Sequence, residues 1–306
     1  GYLDGWKGPL ENESIELGVG DVRGILAQGG TILGSSRTNP EAIEGGVDQV
    51  IDNVRAAGLD GLIAIGGDDT LGVARILTES GLGVVGVPKT IDNDLNATDY
   101  TFGFDTAVNI VMESLDRLHT TATSHHRCLV VEVMGRHAGW IALHGGMAGG
   151  ADQILVPEEE FDLEQVCRQV NRSFEAGVAP IVVASEGAIP AEGSELTTAE
   201  GTDAFGHVRL GGIGGWLAER IEENTGHETR SVVLGHLQRG GTPTAFDRVL
   251  ATRLGSRAIQ AANEGEWGTM TTLRGTSIEL APLADAVDES KVVPPERLRE
   301  AQALFD

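Results

Sequence analysis

"IAIGGDDTLGVA", residues 63–74, joins an apolar run to an amphipathic segment through two adjacent glycines. The apolar run predicts a strand at Leu62–Ile65, and the spacing that follows predicts a helix at Leu71–Ser80. A glycine turn between a strand and a helix leaves backbone N–H groups accessible, so it can bind a phosphate. Asp68 and Asp69 follow the glycines directly, and their carboxylates would repel that anion. Either the turn binds no phosphate, or a cation joins the site.

The same alternation of strand and helix continues along the chain. Unbroken Val/Ile runs predict further buried strands, at Val84–Val87, Cys128–Val133 and Ile181–Ala184. Amphipathic spacing predicts further helices, at Asn39–Ala57, Thr106–Thr121 and Leu163–Glu175. This order implies right-handed βαβ units in a doubly wound α/β protein, whose ligands bind beyond the carboxyl ends of the strands. The polar stretch Ala191–Ala204 predicts a loop or an edge hairpin, and a proline-led helix closes the sequence.

Composition narrows the class of protein further. The sequence has 306 residues, 41% of them hydrophobic, which fits one large or two ordinary folded domains. It contains no apolar run long enough to cross a bilayer and no signal peptide, and we predict a cytoplasmic protein. The net charge of −24 argues against nucleic acid and anionic membranes as partners. The two cysteines support neither a disulfide framework nor a zinc site. The sequence contains three lysines, so a lysine in a segment predicted to be buried is unusual.

The GGDDT turn, residues 66–70, allows two interpretations. As a structural element, it is a strand-to-helix turn in which an aspartate or a threonine caps the helix. As a functional element, it places Asp68 as a magnesium ligand beside a phosphate chain.

The segment "VPKTIDNDL" also follows a predicted strand and carries Lys89, Thr90, Asp92 and Asp94. It is either a polar loop with Asn93 and Asp94 as turn residues, or a catalytic loop. It comes one βα unit after the GGDDT turn, so the two loops are expected to be neighbours. A carboxylate here can accept a proton from an attacking hydroxyl, and a lysine can neutralise a transferring phosphoryl group.

Arginines flank the strand predicted at Cys128–Val133, with Arg127 before it and Arg136 after it. They should therefore lie at opposite ends of one sheet. They are either surface residues in ion pairs or functional residues. If both are functional, Arg127 serves a different subunit.

In "GHETRSVVLGHLQRGGTP", Arg230 precedes an apolar run, and His236 and Arg239 follow it. The histidine and arginine beside a Gly-Gly turn predict an anion pocket suited to a sugar phosphate, although His236 could be an ordinary loop histidine. Glu186 stands at another strand end, where it could accept hydrogen bonds from sugar hydroxyls.

Taken together, GGDDT, PKTIDND, MGRHAGW and GHLQRGGTP resemble the 6-phosphofructokinase family in sequence, order and spacing, from residue 4 to about residue 260. The resemblance implies two similar doubly wound domains of mostly parallel sheet, with the active site in the cleft between them. Residues 1–103 and 239–288 would form the phosphoryl-donor domain, and residues 104–238 and 289–306 the sugar-phosphate domain. It also implies fructose 6-phosphate as substrate, Mg²⁺ as cofactor and a homodimer or homotetramer.

The family's residue roles carry over position by position. Asp68 would hold magnesium, Asp92 would take the proton from the sugar's 1-hydroxyl, and Thr90 and Asp94 would hold the metal–phosphate geometry beside it. The phosphoryl groups would be bound by Arg37 and Arg136. The donor site would also use the turn residues Gly67, Asp68, Asp69 and Thr70. The sugar phosphate would contact Thr90, Ile91, Asp92, Met134, Gly135, Arg136, Glu186, His236 and Arg239, with Arg127 and Arg230 donated by a neighbouring subunit.

Positions 69 and 89 bear on the phosphoryl donor. ATP-dependent members usually carry glycine at the first and often at the second, whereas Asp69 and Lys89 are typical of pyrophosphate-dependent members. The Asp69 carboxylate would exclude an α-phosphate, and Lys89 would offset the charge of a compact donor. We therefore predict pyrophosphate as the donor. The same reaction with ATP, another GGDxT kinase such as an NAD or lipid kinase, and a non-catalytic subunit of the same fold are the alternatives.

Two departures from the family pattern lead to further expectations. The strand and GGDxPGxN-type glycine turn that open the family are not found here, so we expect the sequence to be incomplete at its start. The segment that matches the lysine-rich effector stretch of allosteric members, Ser173–Ile181, contains Glu175 and no lysine.

Overall fold

A computed structural model describes residues 1–191 and 212–303. The described strands are β1 Leu62–Gly66, β2 Val84–Thr90, β3 Phe102–Gly103, β4 Cys128–Val133, β5 Gln153–Leu155, β6 Ile181–Ser185, β7 Thr229–Val233, β8 Thr269–Arg274 and β9 Ser277–Pro282. The described α-helices are α1 Lys7–Glu11, α2 Val19–Val22, α3 Gly46–Ala56, α4 Asp68–Glu79, α5 Phe104–His125, α6 Trp140–Ala148, α7 Leu163–Glu175, α8 Ile213–Thr225, α9 Ala245–Glu264, α10 Leu283–Val287 and α11 Pro295–Gln302. The predicted loop or hairpin at Ala191–Ala204 lies, from residue 192, outside the described residues.

The first sheet has the order β1-β2-β8-β9, with β3 pairing the end of β2. Its strands run parallel except β9, which forms an antiparallel hairpin with β8. Alternate residues of β2 point to opposite faces: Val84 packs with α3, α4 and α10, and Val85 and Val87 pack with α9. Both faces are covered, which explains the unbroken apolar run of this strand.

The second sheet has the order β5-β6-β4-β7 and is parallel throughout. Leu129, Val131 and Val133 of β4 pack with α5 and α6, whereas Cys128 and Val130 pack with α7 and α8. The predicted α/β class with two doubly wound, mostly parallel sheets is confirmed. The domain boundaries remain a prediction.

The structure corrects the helix predicted at Asn39–Ala57. Only a 3-10 turn, Pro40–Ala42, follows Asn39, whose side chain accepts a hydrogen bond from the Glu41 amide. Gly45 adopts a left-handed conformation with φ of +70°, and the α-helix begins after it, at Gly46. The β8–β9 hairpin was not predicted, because its threonine-rich first strand lacks a strong apolar run.

Both cysteines are free and buried. In the described part of the chain, no helix is long and apolar enough to cross a membrane.

Candidate active site

The GGDDT turn lies directly against the end of β2. Asp68 and Asp69 are the first two residues of α4, and the N-cap is Gly67, which has no side-chain cap. The interpretation in which an aspartate or threonine caps this helix is therefore wrong. A Cβ on Gly67 would lie 3.4 Å from the Cβ of Thr90, so the two loops are neighbours, as predicted. The uncapped N-terminus of α4 and the end of β2 thus face one site.

The loop after β2 is held in one conformation by its own side chains. The Thr90 hydroxyl donates to Asp92 Oδ2 over 3.2 Å and accepts from the Asp92 amide over 3.1 Å. Asn93 is buried with φ of +52°, a left-handed conformation that asparagine tolerates. Its side-chain oxygen accepts from the Thr101 amide over 3.0 Å. These contacts fix the backbone on both sides of the Asp92 carboxylate.

Charged groups from both sheets act on Asp92. Burial raises the pKa of Asp92, while the Arg239 guanidinium, the Thr90 hydroxyl and Lys89 oppose that rise. For Lys89, burial and the Arg239 guanidinium both lower the pKa, and Asp92 opposes that shift. Arg239 belongs to the loop after β7, in the second sheet. A cation of the second sheet therefore acts on Asp92 and Lys89, which lie at the end of β2 in the first sheet.

Asp94 and Asp68 offer oxygen ligands to a cation. Burial, with the carboxylates of Asp92 and Asp68, raises the pKa of Asp94 to about 7. Asp94 Oδ1 is buried and has no hydrogen-bond partner among the described residues. The described residues contain no cluster of three metal-ligating side chains. Magnesium is usually bound by one or two carboxylates, waters and substrate phosphates, and these residues fit that mode.

The loops after β4 and β6 lie near Asp92, whose charge acts on Glu186. The Glu186 amide donates to the Val133 carbonyl over 2.8 Å, and the Gly187 amide donates to the Gly135 carbonyl over 3.1 Å. Gly135 has φ of +139°, and a Cβ there would collide with the Ser185 hydroxyl, so glycine is needed. Burial raises the pKa of Glu186, while the Gly135 backbone and Arg136 oppose that rise.

The loop after β4 also carries an arginine and a methionine. Met134 and Arg136 are half-buried on either side of Gly135. Arg136 Nε is buried with no hydrogen-bond partner in the part of the chain that the structure describes. A buried guanidinium N–H of this kind suits a phosphate oxygen.

A 3-10 helix, Gly235–Arg239, carries the exposed side chains of His236 and Arg239. Between them, Gln238 is buried, and its side-chain oxygen accepts from the Met134 amide over 3.2 Å. This contact fixes the helix against the loop after β4. Sequence reasoning missed Gln238, although an amide between two predicted site residues of HLQRGG could have suggested a positioning role.

Arg127 and Arg230 lie together, away from these loops. Both contact Glu228, at 3.1 Å from Arg127 Nη2 and 2.8 Å from Arg230 Nη2. They occupy the amino ends of β4 and β7, at the opposite end of the sheet from Arg136, as predicted for Arg127. Arg230 does not precede its strand, however. It is the second residue of β7 and pairs with Leu129, because pairing with β4 extends the strand beyond the apolar run.

Two other predicted site residues are Ile91 and Arg37. Ile91 packs against the core of the second sheet, next to Gly103. Arg37 lies exposed on the loop after Ser36, whose hydroxyl donates to the Asp4 carbonyl over 2.6 Å. The segment after Asp4 reaches the GGDDT turn, since the Trp6 indole donates to the Thr70 carbonyl over 3.3 Å.

Comparison with known proteins matches this arrangement to one family. Residues 1–262 match the family model described as phosphofructokinase. The chain is 62% identical, over its full length and 89% of the relative's, to a pyrophosphate–fructose 6-phosphate 1-phosphotransferase of Amycolatopsis methanolica. It is 55% identical, over its full length and 90% of the relative's, to ATP-dependent 6-phosphofructokinase 3 of Streptomyces coelicolor.

A solved structure shows the same fold. The pyrophosphate-dependent phosphofructokinase of Marinobacter aquaeolei superposes with a TM-score of 0.81 at 26% identity, over 99% of this chain and 81% of that one. The family model and the relatives, which match this chain over its full length, agree with the family that the four motifs indicate. This chain belongs to the phosphofructokinase family.

Proposed function

We propose that this protein transfers a phosphoryl group from pyrophosphate to the 1-hydroxyl of fructose 6-phosphate, giving fructose 1,6-bisphosphate and orthophosphate in a reversible reaction. One arrangement carries the proposal. The Asp92 carboxylate lies beside the turn with Asp68 and Asp69 and interacts with Arg239 from the opposite sheet. The proposed base, donor turn and sugar-phosphate arginine thus belong to one site.

In this mechanism, Asp92 accepts the proton of the 1-hydroxyl as its oxygen attacks the phosphorus of the donor. The Thr90 hydroxyl orients the Asp92 carboxylate. Arg136 and Lys89 stabilise negative charge on the transferring group, and Arg37 binds the donor from the other side. His236, Arg239 and Glu186 hold the sugar phosphate, with Met134 and Gly135 shaping the pocket. The protein thereby acts through positioning and charge.

Magnesium would be held by Asp68, with Asp94 beside it. When bound, the ion would neutralise charge on the donor phosphates. The unpartnered Asp94 oxygen supports this assignment. The cytoplasmic location and the two-domain division are part of the same proposal.

The test is an assay of fructose 1,6-bisphosphate formation with pyrophosphate and ATP side by side, at equal donor and Mg²⁺ concentrations. We expect turnover with pyrophosphate and little with ATP. The alternative of ATP as donor has specific support, since a relative with that name is 55% identical. Faster turnover with ATP would establish that alternative. No turnover with either donor would favour a non-catalytic subunit.

We expect the active unit to be at least a dimer. Arg127 and Arg230 lie at the end of their sheet opposite Arg136, so a second chain would bring them to a sugar-phosphate site. Arg127 Nε is buried with no partner in the described residues, which leaves a donor for a ligand. Mixing inactive Arg127→Ala with inactive Asp92→Ser subunits should restore part of the activity.

The control for this mixing experiment is Arg117→Ala, because that arginine is exposed and pairs only weakly with Glu113, at 3.9 Å. It should keep its activity without mixing. Sedimentation during turnover gives the second measurement. A fully active monomer, or mixed subunits that exchange and stay inactive, would contradict the shared site.

We also expect little response to ADP or phosphoenolpyruvate. The segment Ser173–Ile181 lies at the end of α7 and the start of β6, and the Asp152 carboxylate accepts from both Ser173 and the Ile181 amide. An acidic side chain therefore occupies the stretch that would hold an anion. Fructose 6-phosphate saturation curves should move by less than about threefold, below the ~5–150-fold range of typical coupling. A larger shift with either compound would contradict this prediction.

A further inference from the structure

The segment that follows α10, residues 289–293, runs alongside the loop that carries Asp92. We call it the C-terminal strap. The Lys291 amide donates to the Asp94 carbonyl over 2.7 Å, and Ser290 forms a bridge with Leu95. The Asn96 side chain also donates to the Glu289 carbonyl. The strap therefore contacts the part of the Asp92 loop that follows Asp92, at residues 94–96.

The side chain of Lys291 is the main contact between the strap and this loop. Its ammonium donates to Asn93 Oδ1 over 3.1 Å, to the Thr98 carbonyl over 2.9 Å and to the Asp99 carbonyl over 3.0 Å. These three bonds use the complete donor capacity of a lysine. Asn93, directly after Asp92, has a left-handed backbone conformation. Its side-chain oxygen accepts hydrogen bonds from both the Lys291 ammonium and the Thr101 amide.

The other side of the strap contacts the loop that carries Arg136. The Trp140 indole donates to the Lys291 carbonyl over 2.8 Å, and its ring lies 5.5 Å from the ammonium. The Val293 amide donates to Glu158, and the same carboxylate accepts from the Gly139 amide over 2.9 Å. Trp140 and Gly139 come only a few residues after Arg136. The strap is thus bonded to both catalytic loops.

We propose that Lys291 is a positioning residue for phosphoryl transfer: by linking Asn93 to Trp140, it fixes the Asp92 loop relative to the Arg136 loop. This inference rests on the proposed function, because that function assigns Asp92 its role as the base and Arg136 its role at the transferring group. Lys291 itself touches neither substrate. A displacement of one reacting group by about 1 Å can cost ~10²-fold in rate, so a strap that sets this separation should act on turnover.

The first experiment replaces Lys291 with methionine, which keeps much of the apolar stem and removes all three hydrogen bonds. We expect kcat to fall by about 10–100-fold while KM for fructose 6-phosphate changes much less, because positioning is lost and the binding residues stay. Lys7→Met is the matched control, since that lysine is half-exposed on α1 and pairs with Glu11 and Glu13. The control should keep wild-type kcat.

Two further variants separate positioning from loss of folding. Trp140→Phe keeps an aromatic ring and removes the indole donor to the Lys291 carbonyl, and it should also lower kcat. Lys291→Arg keeps the charge and should recover part of the lost turnover. If Lys291→Met remains folded by its melting curve and keeps the wild-type kcat, the inference is wrong.

Backbone amide hydrogen exchange over residues 90–101 gives a measurement that does not depend on turnover. Exchange should speed up in Lys291→Met and stay unchanged in Lys7→Met. If the wild type transfers no phosphoryl group from either donor, the proposed function fails, and exchange still tests the strap. If the wild type is active and both exchange and kcat are unchanged in Lys291→Met, only the positioning role fails.

Discussion

Replacing Asp92 with serine is expected to reduce turnover by at least ~10²–10⁴-fold, the usual contribution of a general base, while fructose 6-phosphate still binds. The reason is the geometry of one carboxylate. The Thr90 hydroxyl donates to this carboxylate and is itself held by the Asp92 amide, and the positive charges of Lys89 and Arg239 act on it. Serine fits the same space but cannot accept the hydroxyl proton at neutral pH.

The measurement is steady-state kcat together with fructose 6-phosphate binding by calorimetry. Asp52→Ser is the matched control, since Asp52 is exposed on α3, away from the site, and its loss should leave kcat unchanged. If Asp92→Ser keeps more than about a tenth of the wild-type kcat at saturation, Asp92 is not the base.

The pH profile offers an independent check on the same residue. Burial raises the pKa of Asp92 above its ordinary value. A base works only when it is ionised, so kcat/KM should fall as the pH drops through this raised pKa. We expect an acidic limb above the ordinary aspartate range, and we expect its loss in the residual activity of Asp92→Ser. An identical limb in both proteins would assign it to another group.

The second large effect concerns the choice of donor. Asp69→Gly is expected to lower pyrophosphate-dependent kcat/KM by about 10²-fold, roughly 2.7 kcal/mol, and to admit ATP at least weakly. Asp69 lies in the first turn of α4, and in the proposed site its carboxylate would occupy the space and repel the charge of an α-phosphate. Glycine removes both effects, and each ~1.4 kcal/mol changes the donor preference tenfold.

Adding Lys89→Gly should remove most of the remaining pyrophosphate activity, because in the proposed site Lys89 would stabilise charge on the smaller donor. The two changes should be non-additive, since the turn before Asp69 contacts the segment that carries Lys89 and both residues would face the same phosphates. The measurement is kcat/KM with each donor for the wild type, both single variants and the double variant. Glu79→Gly, at the far end of α4, is a suitable control. Strictly additive effects, or unchanged donor preference in Asp69→Gly, would contradict the assignment.

The sequence by itself determined the α/β class, four of the described strands and the position of the loops that form the proposed site. Strands such as Cys128–Val133 are continuous apolar runs, and the turn at Gly66–Gly67 is a local glycine signal, so both can be read from neighbouring residues. The order of the motifs also predicted that the GGDDT turn and the Asp92 loop are adjacent, because consecutive parallel strands end at the same edge of a sheet.

Only the tertiary structure decided how these loops are held. Lys291 and Asn93 are 198 residues apart, and Gln238 and Met134 are 104 apart, so no local pattern connects them. The pairing of Arg127 and Arg230 with one glutamate depends on the register of β4 and β7. Hydrophobic periodicity reports which face of an element is buried, whereas hydrogen bonds between distant loops depend on how those elements pack. The positioning of the site is therefore a property of the assembled fold.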